Sequence, residues 1–209
     1  MKKKNKIGII KITTCNISSI EAAMKILSLN YVVSDEVKKL ENCDSLILPG
    51  VGSFKTAMRQ LKKKNLIKLI NNFVKQNKKI IGICLGMQLL MTSSDEFGKT
   101  KGLDLIKGTV KKIPYFEKGI NRFPVPNVGW RVVQTDKKDS LKNFLNNKKI
   151  YFVHSYYVKE KKKVNLLSRT NYGKLNFCSA IKYKNIYGFQ FHPEKSGKDG
   201  LFIYKKLLK

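Results

Sequence analysis

The clearest chemical signal in this 209-residue chain is a cysteine between two glycines, in residues 80–86 (IIGICLG). An apolar strand that enters a sharp turn and then a helix places a nucleophile at the apex of the turn. Gly82 and Gly86 fit this pattern because such a turn leaves no room for side chains beside it. Cys84 would lie at a helix N-terminus, where the helix dipole favours a thiolate. The pattern therefore predicts a nucleophile elbow.

A cysteine nucleophile needs a base, and the chain has two histidines, His154 and His192. Glu194 follows His192 by two residues, so its carboxylate can reach the far imidazole nitrogen and fix the orientation of the ring. The proline between them restricts the backbone. His154 also ends an apolar run, but no carboxylate follows it closely. We predict a triad of Cys84, His192 and Glu194, with His154 as the alternative base or a structural residue.

Amide hydrolysis also needs preorganised N–H donors that stabilise the oxyanion. The N–H of Leu85, directly after the nucleophile, is one candidate. The second would come from the segment of Gly50, Val51 and Gly52, because its glycines permit backbone conformations that other residues resist. The alternative for this segment is an ordinary turn at the end of a strand.

Five motifs, in this order along the chain, resemble those of the class I, or triad, glutamine amidotransferases: PGVG at 49–52, GICLGMQLL at 82–90, PNVGW at 126–130, HSY at 154–156 and FHPEKS at 191–196. The glutaminase subunits of imidazole glycerol phosphate synthase match best, since the first and third motifs separate them from relatives that make GMP, carbamoyl phosphate or anthranilate. The resemblance implies one glutamine amidotransferase domain over residues 1–209. It implies hydrolysis of glutamine to glutamate and ammonia, without a cofactor or metal.

The same resemblance assigns residues to substrate binding. Gln88 and Glu96 would hold the amino acid end of glutamine, and Ser155 and Tyr156 would add backbone contacts. Gln88 follows Cys84 by four residues, so one helical turn brings it to the face of the nucleophile. A buried glutamine with only a structural role is the alternative.

The resemblance further implies a heterodimer with a (β/α)8-barrel cyclase subunit, which receives the ammonia through a tunnel and makes imidazole glycerol phosphate in histidine biosynthesis. Trp130 and Lys195 match positions that face this partner. The chain departs from the family at residues 11–16 (KITTCN, usually DYGxGN) and at Asn127, where the family usually has histidine. Both departures affect regions near the partner. A paralogous pair that amidinates surface-polysaccharide sugars is therefore the alternative pathway.

Two other classes of protein fit part of the sequence. A stand-alone Cys-His-Glu peptidase or γ-glutamyl hydrolase would keep the elbow but would not need residues 49–52 or the Gly-Trp pair. A nucleic-acid-binding protein without enzymatic activity would exploit the net charge of +29 but would not need the triad. Only four of the 43 basic residues are arginine, the residue favoured for bidentate phosphate contacts, and the lysines are spread along the chain. This favours solvated lysine faces.

The pattern of apolar segments predicts an α/β fold. Strands alternate with helices in the first half, which indicates a central, mostly parallel sheet flanked by helices, and short strands in the second half indicate additional antiparallel strands. Residues 49–52 and Cys84 both follow predicted strands, where ligands bind in such sheets.

No apolar run reaches the roughly 20 residues of a membrane span, and no signal-peptide core follows the basic N-terminus, so we expect a cytoplasmic protein. Four cysteines without Cys-x-x-Cys spacing support neither zinc nor a disulfide frame.

Overall fold

The computed structural model describes residues 5–12, 17–114, 124–135 and 140–209. Within these residues the chain forms thirteen strands and seven α-helices. Their order is β1 (Lys6–Ile10), α1 (Ile17–Ile26), β2 (Asn30–Ser34), α2 (Val37–Leu40), β3 (Ser45–Leu48), α3 (Phe54–Lys63), α4 (Leu66–Lys75), β4 (Lys79–Ile83), α5 (Leu85–Leu89), β5 (Ser93–Ser94), β6 (Thr100–Lys101), β7 (Gly108–Lys112), β8 (Asn127–Gln134), α6 (Ser140–Leu145), β9 (Lys148–His154), β10 (Tyr156–Glu160), β11 (Leu166–Tyr172), β12 (Leu175–Tyr183), β13 (Ile186–Phe189) and α7 (Gly197–Leu208).

The strands form one mixed sheet in the order β2-β1-β3-β4-β13-β12-β10-β7-β5-β6. The first five strands of this order are parallel to one another, whereas β12, β10 and β7 pair with their neighbours β13, β12 and β10 in the antiparallel sense. A branch of β11, β8 and β9 continues antiparallel from β12. Because β3, β4 and β13 are parallel neighbours, the segments that follow them meet at one edge of the sheet.

Alternation of side chains along the strands builds two hydrophobic cores, one on each face of the sheet. Ile7, Ile9 and Ile47 pack in the core that contains the apolar faces of α1, α6 and α7. Leu46 and Leu48 pack in the other core, with α2, α3, α4 and α5. The sheet is thus buried between two helical layers, which explains the nearly continuous apolar sequences of its parallel strands.

The predicted α/β fold is confirmed, with a larger antiparallel part than the sequence indicated. The pattern did not predict β10, because Val158 is the only fully buried side chain of that strand and no apolar run marks it. The two-residue strands β5 and β6 and the short helices α2 and α6 also gave no periodic signal. Of the departure at residues 11–16, positions 13–16 lie outside the described residues. No helix in the described part of the chain is long and apolar enough to cross a membrane.

Candidate active site

Cys84 lies at the apex of a tight turn between β4 and α5, as the elbow pattern predicts. Its φ of 52° and ψ of −108° are unusual for a residue with a side chain, and strain of this kind is often found at functional sites. A Cβ atom on Gly82 would lie 2.7 Å from the carbonyl oxygen of Gly86, and one on Gly86 would lie 1.7 Å from that of Leu48. The two glycines are therefore required sterically. The turn is anchored by a hydrogen bond of 2.7 Å from the Cys84 N–H to the carbonyl of Phe189.

The predicted base and its carboxylate are also in contact. His192 Nδ1 lies 2.7 Å from Glu194 Oε1, and both side chains are almost fully buried. The hydroxyl of Tyr204 donates a hydrogen bond of 3.3 Å to the other carboxylate oxygen of Glu194. The imidazole is thus held on one side by a carboxylate that is itself oriented.

The opposite nitrogen of this imidazole, Nε2, is buried and makes no hydrogen bond within the described part of the chain. Burial alone lowers the pKa of His192, but the nearby sulfur of Cys84 and the carboxylate of Glu194 outweigh it and raise the pKa to about 10. The sulfur and the carboxylate therefore both favour the protonated form of His192.

His154 has a different environment. Its Nδ1 donates a hydrogen bond of 2.8 Å to the carbonyl of Tyr156, and its Nε2 accepts one of 3.0 Å from the side-chain amide of Asn127. Arg131 Nε in turn donates to Asn127 Oδ1 at 3.1 Å. Burial lowers the pKa of His154 to about 4, so the ring is neutral with both nitrogens occupied. This geometry favours a structural role for His154 over the role of base.

Gln88 lies on the face of α5 that carries Cys84, as its spacing predicts. Its amide Nε2 donates hydrogen bonds to the carbonyl of Tyr156 at 3.0 Å and to Gln190 Oε1 at 3.1 Å. Gln190 Nε2 lies 3.6 Å from the sulfur of Cys84. Both amide hydrogens of Gln88 are therefore used within the protein, and its Oε1 is the atom left for a ligand.

Glu96 is a buried carboxylate in the loop after β5. Its Oε2 accepts a hydrogen bond of 2.5 Å from the backbone N–H of Phe54, the first residue of α3. That helix begins two residues after Gly52, the last residue of the segment of Gly50, Val51 and Gly52, and Gly52 has a φ of +95°. Glu96 thus anchors the end of the glycine-containing segment that follows β3.

The carbonyl groups of Ser155 and Tyr156 are already occupied. The carbonyl of Ser155 accepts from the N–H of Ile113 at 2.9 Å, and that of Tyr156 accepts from both Gln88 and His154. The Tyr156 carbonyl thus accepts two hydrogen bonds, so a further backbone contact from Tyr156 to a ligand would come from its N–H.

Cys84 opens into a cavity of about 990 Å³ at the carboxyl edge of the parallel strands. His154 also lines this cavity, whereas His192 lies behind Cys84 and is not among the lining residues. Besides Cys84, the lining of the cavity includes most of the residues predicted to bind substrate or the oxyanion: Val51, Gly52, Leu85, Gln88, Glu96, Ser155 and Tyr156. Gly50 lies beside it, since a Cβ atom there would be 2.9 Å from the side chain of Leu85. Within the described residues, no cluster of side chains has the composition of a metal site.

Trp130 and Lys195, predicted to face a partner, do not line this cavity. Trp130 is 50% exposed and meets the ring of Tyr151 edge-on, with centroids 6.0 Å apart. Lys195 Nζ lies 6.0 Å from the centroid of the same ring. On β8, Val128 and Val132 are also exposed, at 48% and 40%. Trp130 is therefore a surface residue within an apolar stripe.

Sequence reasoning missed Gln190, which contacts Cys84, and Tyr204, which contacts Glu194; it named Asn127 only as a departure from the family and did not predict its contact with His154. Gln190 is fully buried at the end of β13, and Asn127 is fully buried at the start of β8. A signal existed for Gln190, because a single polar residue interrupts the apolar sequence immediately before His192. Asn127 pairs with a residue 27 positions later, and no local pattern reports such a contact.

The chain also matches a known protein family. The family model described as Glutamine amidotransferase class-I matches residues 5–207. The chain belongs to this family, and it is accordingly a glutamine amidotransferase.

The names of individual relatives are more specific than the description of the family. The chain is 42% identical over 203 residues to the imidazole glycerol phosphate synthase subunit HisH of Prochlorococcus marinus, covering 97% of this chain and 93% of the relative. It is also 42% identical over 198 residues to the protein of the same name from Geobacillus sp., covering 94% and 93%.

Solved structures share the fold. A glutamine amidotransferase superposes with a TM-score of 0.73 at 16% identity, covering 97% of each chain. A chain of the PurLQS structure from Thermotoga maritima gives 0.72 at 18% identity, covering 99% of this chain and 98% of its own length. At these identities the similarity concerns the fold alone.

Proposed function

We propose that this chain is the glutaminase subunit of an imidazole glycerol phosphate synthase and that Cys84, His192 and Glu194 are its catalytic triad. The observation that carries the proposal is the combination of Cys84 in a strained elbow with a buried His192 that Glu194 holds at 2.7 Å. The HisH name of its relatives supports the assignment to this synthase.

In the proposed reaction, the thiolate of Cys84 attacks the carboxamide carbon of glutamine. The C–N bond then breaks, and the imidazolium of His192 protonates the leaving nitrogen, which departs as ammonia. The neutral imidazole next takes a proton from water, whose oxygen attacks the thioester and releases glutamate. Glu194 stabilises the imidazolium in each cycle, since its carboxylate contacts Nδ1.

The remaining lining residues would bind the substrate. The N–H of Leu85 and an N–H from the segment of Gly50, Val51 and Gly52 would stabilise the oxyanion, each contributing about 3 kcal/mol in comparable sites. Gln88 would accept a hydrogen bond from glutamine through Oε1, and the negative charge of Glu96 would attract its ammonium group. Ser155 and Tyr156 would donate through backbone N–H groups.

The ammonia would pass to a (β/α)8-barrel cyclase subunit bound as a heterodimer. The proposed docking surface is the exposed apolar stripe of β8, namely Val128, Trp130 and Val132, together with the neighbouring Lys195. We further propose that residues 1–209 form a single amidotransferase domain. A cytoplasmic location belongs to the same proposal, because a nucleophilic thiol is kept reduced in that compartment.

The test is reconstitution with the cyclase from the same genome and its ribonucleotide ligand. The isolated chain should hydrolyse glutamine slowly, and the liganded cyclase should accelerate it, because an oxyanion donor becomes correctly aimed only in the complex. Cys84→Ala should abolish glutamine-dependent synthesis, whereas ammonium chloride should restore it. Cys43→Ala, at a buried cysteine outside the cavity, is the matched control and should keep glutaminase activity.

Retention of glutaminase activity by Cys84→Ala would disprove the nucleophile assignment. Full activity of the isolated chain would eliminate stimulation by a partner. Stimulation only by a paralogous cyclase that serves sugar amidination would change the proposed acceptor of the ammonia while leaving the glutaminase chemistry intact.

A further inference from the structure

Gln190 is a buried amide that contacts the nucleophile and has no role in the triad. It is fully buried at the carboxyl end of β13, two residues before His192, and its backbone N–H donates to the carbonyl of Ser179 at 2.9 Å. Its side chain lies between Gln88 at 3.1 Å and the sulfur of Cys84 at 3.6 Å. A fully buried amide needs partners for both its oxygen and its nitrogen, and these two contacts supply them.

The direction of these hydrogen bonds is determined by one backbone carbonyl. The oxygen of Tyr156 can only accept, so Gln88 must present its Nε2 to it. The second hydrogen of the same nitrogen then points to Gln190, which must present Oε1. With its oxygen used in this way, Gln190 must direct its Nε2–H toward Cys84. No alternative flip of either amide satisfies all three contacts.

Besides His192, whose ring is close enough for the sulfur to raise its pKa, two polar groups of opposite character contact the sulfur of Cys84. The carbonyl oxygen of Val153, at 3.6 Å, can interact favourably only with a protonated thiol, which would donate to it. The Nε2–H of Gln190, also at 3.6 Å, is favourable to a thiolate, which accepts from it. Hydrogen bonds to charged groups are stronger than those to neutral ones, so the donor from Gln190 favours the ionised form.

We propose that Gln190 is a positioning residue, whose amide, oriented by Gln88 and the Tyr156 carbonyl, donates a hydrogen bond to Cys84 and stabilises its thiolate. This inference deepens the proposed function and rests on it for the role of the thiolate. It gives Gln88 a second role, because the same amide that faces the substrate cavity also fixes the direction of the donor.

The experiment measures alkylation of Cys84 by iodoacetamide as a function of pH, with the modified peptide quantified by mass spectrometry. Gln190→Met keeps a similar length but removes the donor, so alkylation near pH 7 should slow about tenfold, the size expected for one hydrogen bond to a charged group. The pH profile should move to higher pH, and the rates should converge with wild type where the thiol is fully ionised. Gln190→Glu should move the profile further, because a carboxylate would face the thiolate.

Ser168→Ala is the matched control, since it also removes a buried hydrogen bond, of 2.9 Å to Ser179, but lies outside the cavity. Its alkylation profile should coincide with that of wild type. Thermal unfolding of each variant shows that the protein is folded during the measurement, and Gln190→Glu keeps the proposal testable if Gln190→Met does not fold.

An unchanged midpoint of the pH profile in folded Gln190 variants, or rates lowered equally at every pH, would overturn the proposal and leave Gln190 as a packing residue. Iodoacetamide does not require glutamine hydrolysis. A chain that lacked glutaminase activity but showed the expected shift would therefore contradict the proposed function and not this inference.

Discussion

The backbone N–H of His192 donates a hydrogen bond of 3.0 Å to the carbonyl of Tyr151. The ring of Tyr151 meets Trp130 at the protein surface, with centroids 6.0 Å apart. A further pair of hydrogen bonds links the same two segments, because Ser196 Oγ accepts from the N–H of Tyr151 at 3.1 Å and donates to the carbonyl of His192 at 2.6 Å. One residue thus lies between the proposed base and the proposed docking surface.

Replacement of Trp130 tests this surface. Trp130→Ala should weaken binding of the cyclase subunit by about ten- to a hundredfold, as expected for a central aromatic residue in an interface. Isothermal titration calorimetry with the liganded cyclase measures the affinity. Tyr183→Ala is the matched control, because Tyr183 is 41% exposed but lies at the end of β12, beside the amino ends of the parallel strands β4 and β13. Equal affinities for the two variants would place the interface elsewhere.

Gly52, in the proposed oxyanion segment, can be compared with a second glycine of the same backbone conformation outside the cavity. Gly52 and Gly98 both have a φ of +95°, and a Cβ atom on either would meet nothing within 4 Å. Alanine at either position should therefore lower the free energy of unfolding by a similar amount, about 1–2 kcal/mol. Only Gly52→Ala should reduce kcat for glutamine hydrolysis, by about ten- to a hundredfold, because Gly52 lines the cavity and Gly98 does not.

The readouts for this pair are urea denaturation and steady-state glutaminase kinetics in the presence of the partner. Equal kcat values for the two variants would mean that the backbone conformation at Gly52 does not contribute to catalysis.

The two histidines should differ sharply in their effects on activity. His192→Asn should reduce glutaminase activity as severely as loss of Cys84, because members of a catalytic unit are not additive. His154→Asn should reduce it much less, since both nitrogens of His154 are already bonded to Asn127 and Tyr156. Steady-state assays of both variants at neutral pH make the comparison. The reverse ranking would transfer the role of base to His154.

His154 should also make the protein sensitive to acid. Burial lowers its pKa from 6.5 to about 4 in the folded protein, so the unfolded chain binds a proton more readily in this range. Above about pH 6.5 this histidine does not reduce the free energy of unfolding. As the pH falls from there toward 4, its contribution should lower the free energy of unfolding by about 3 kcal/mol. Because carboxylates titrate in the same range, the prediction concerns the difference between wild type and His154→Asn.

Urea denaturation between pH 4 and pH 7 gives the free energy of unfolding for both proteins. Between pH 7 and pH 4, the free energy of unfolding should fall by about 3 kcal/mol less in His154→Asn than in wild type. At neutral pH this variant should be less stable than wild type, because it loses two buried hydrogen bonds. Parallel curves would contradict the assignment of a buried, neutral His154.

Local patterns in the sequence were enough to predict much of the candidate site. The elbow around Cys84 and the spacing of His192 and Glu194 are short-range features, so their geometry follows from adjacent residues and a strand before each. The break in the apolar sequence marks Gln190 but does not name its partners, and no local pattern marks the contact of Asn127. The partners of both residues come from distant segments, and their side chains are buried through tertiary hydrogen bonds. Strand β10 was not predicted for the same reason. It is held in the sheet by its pairing with β7 and β12, and its own sequence does not indicate a strand.

The position of the elbow between the two cores has a consequence for folding studies. Cys84 packs in the core on one face of the sheet, and Leu85, the next residue, packs in the core on the other face. The thiol therefore keeps its geometry only while both helical layers remain docked. Turnover of glutamine would serve as a reporter of the integrity of the whole molecule and decline in step with ellipticity during denaturation.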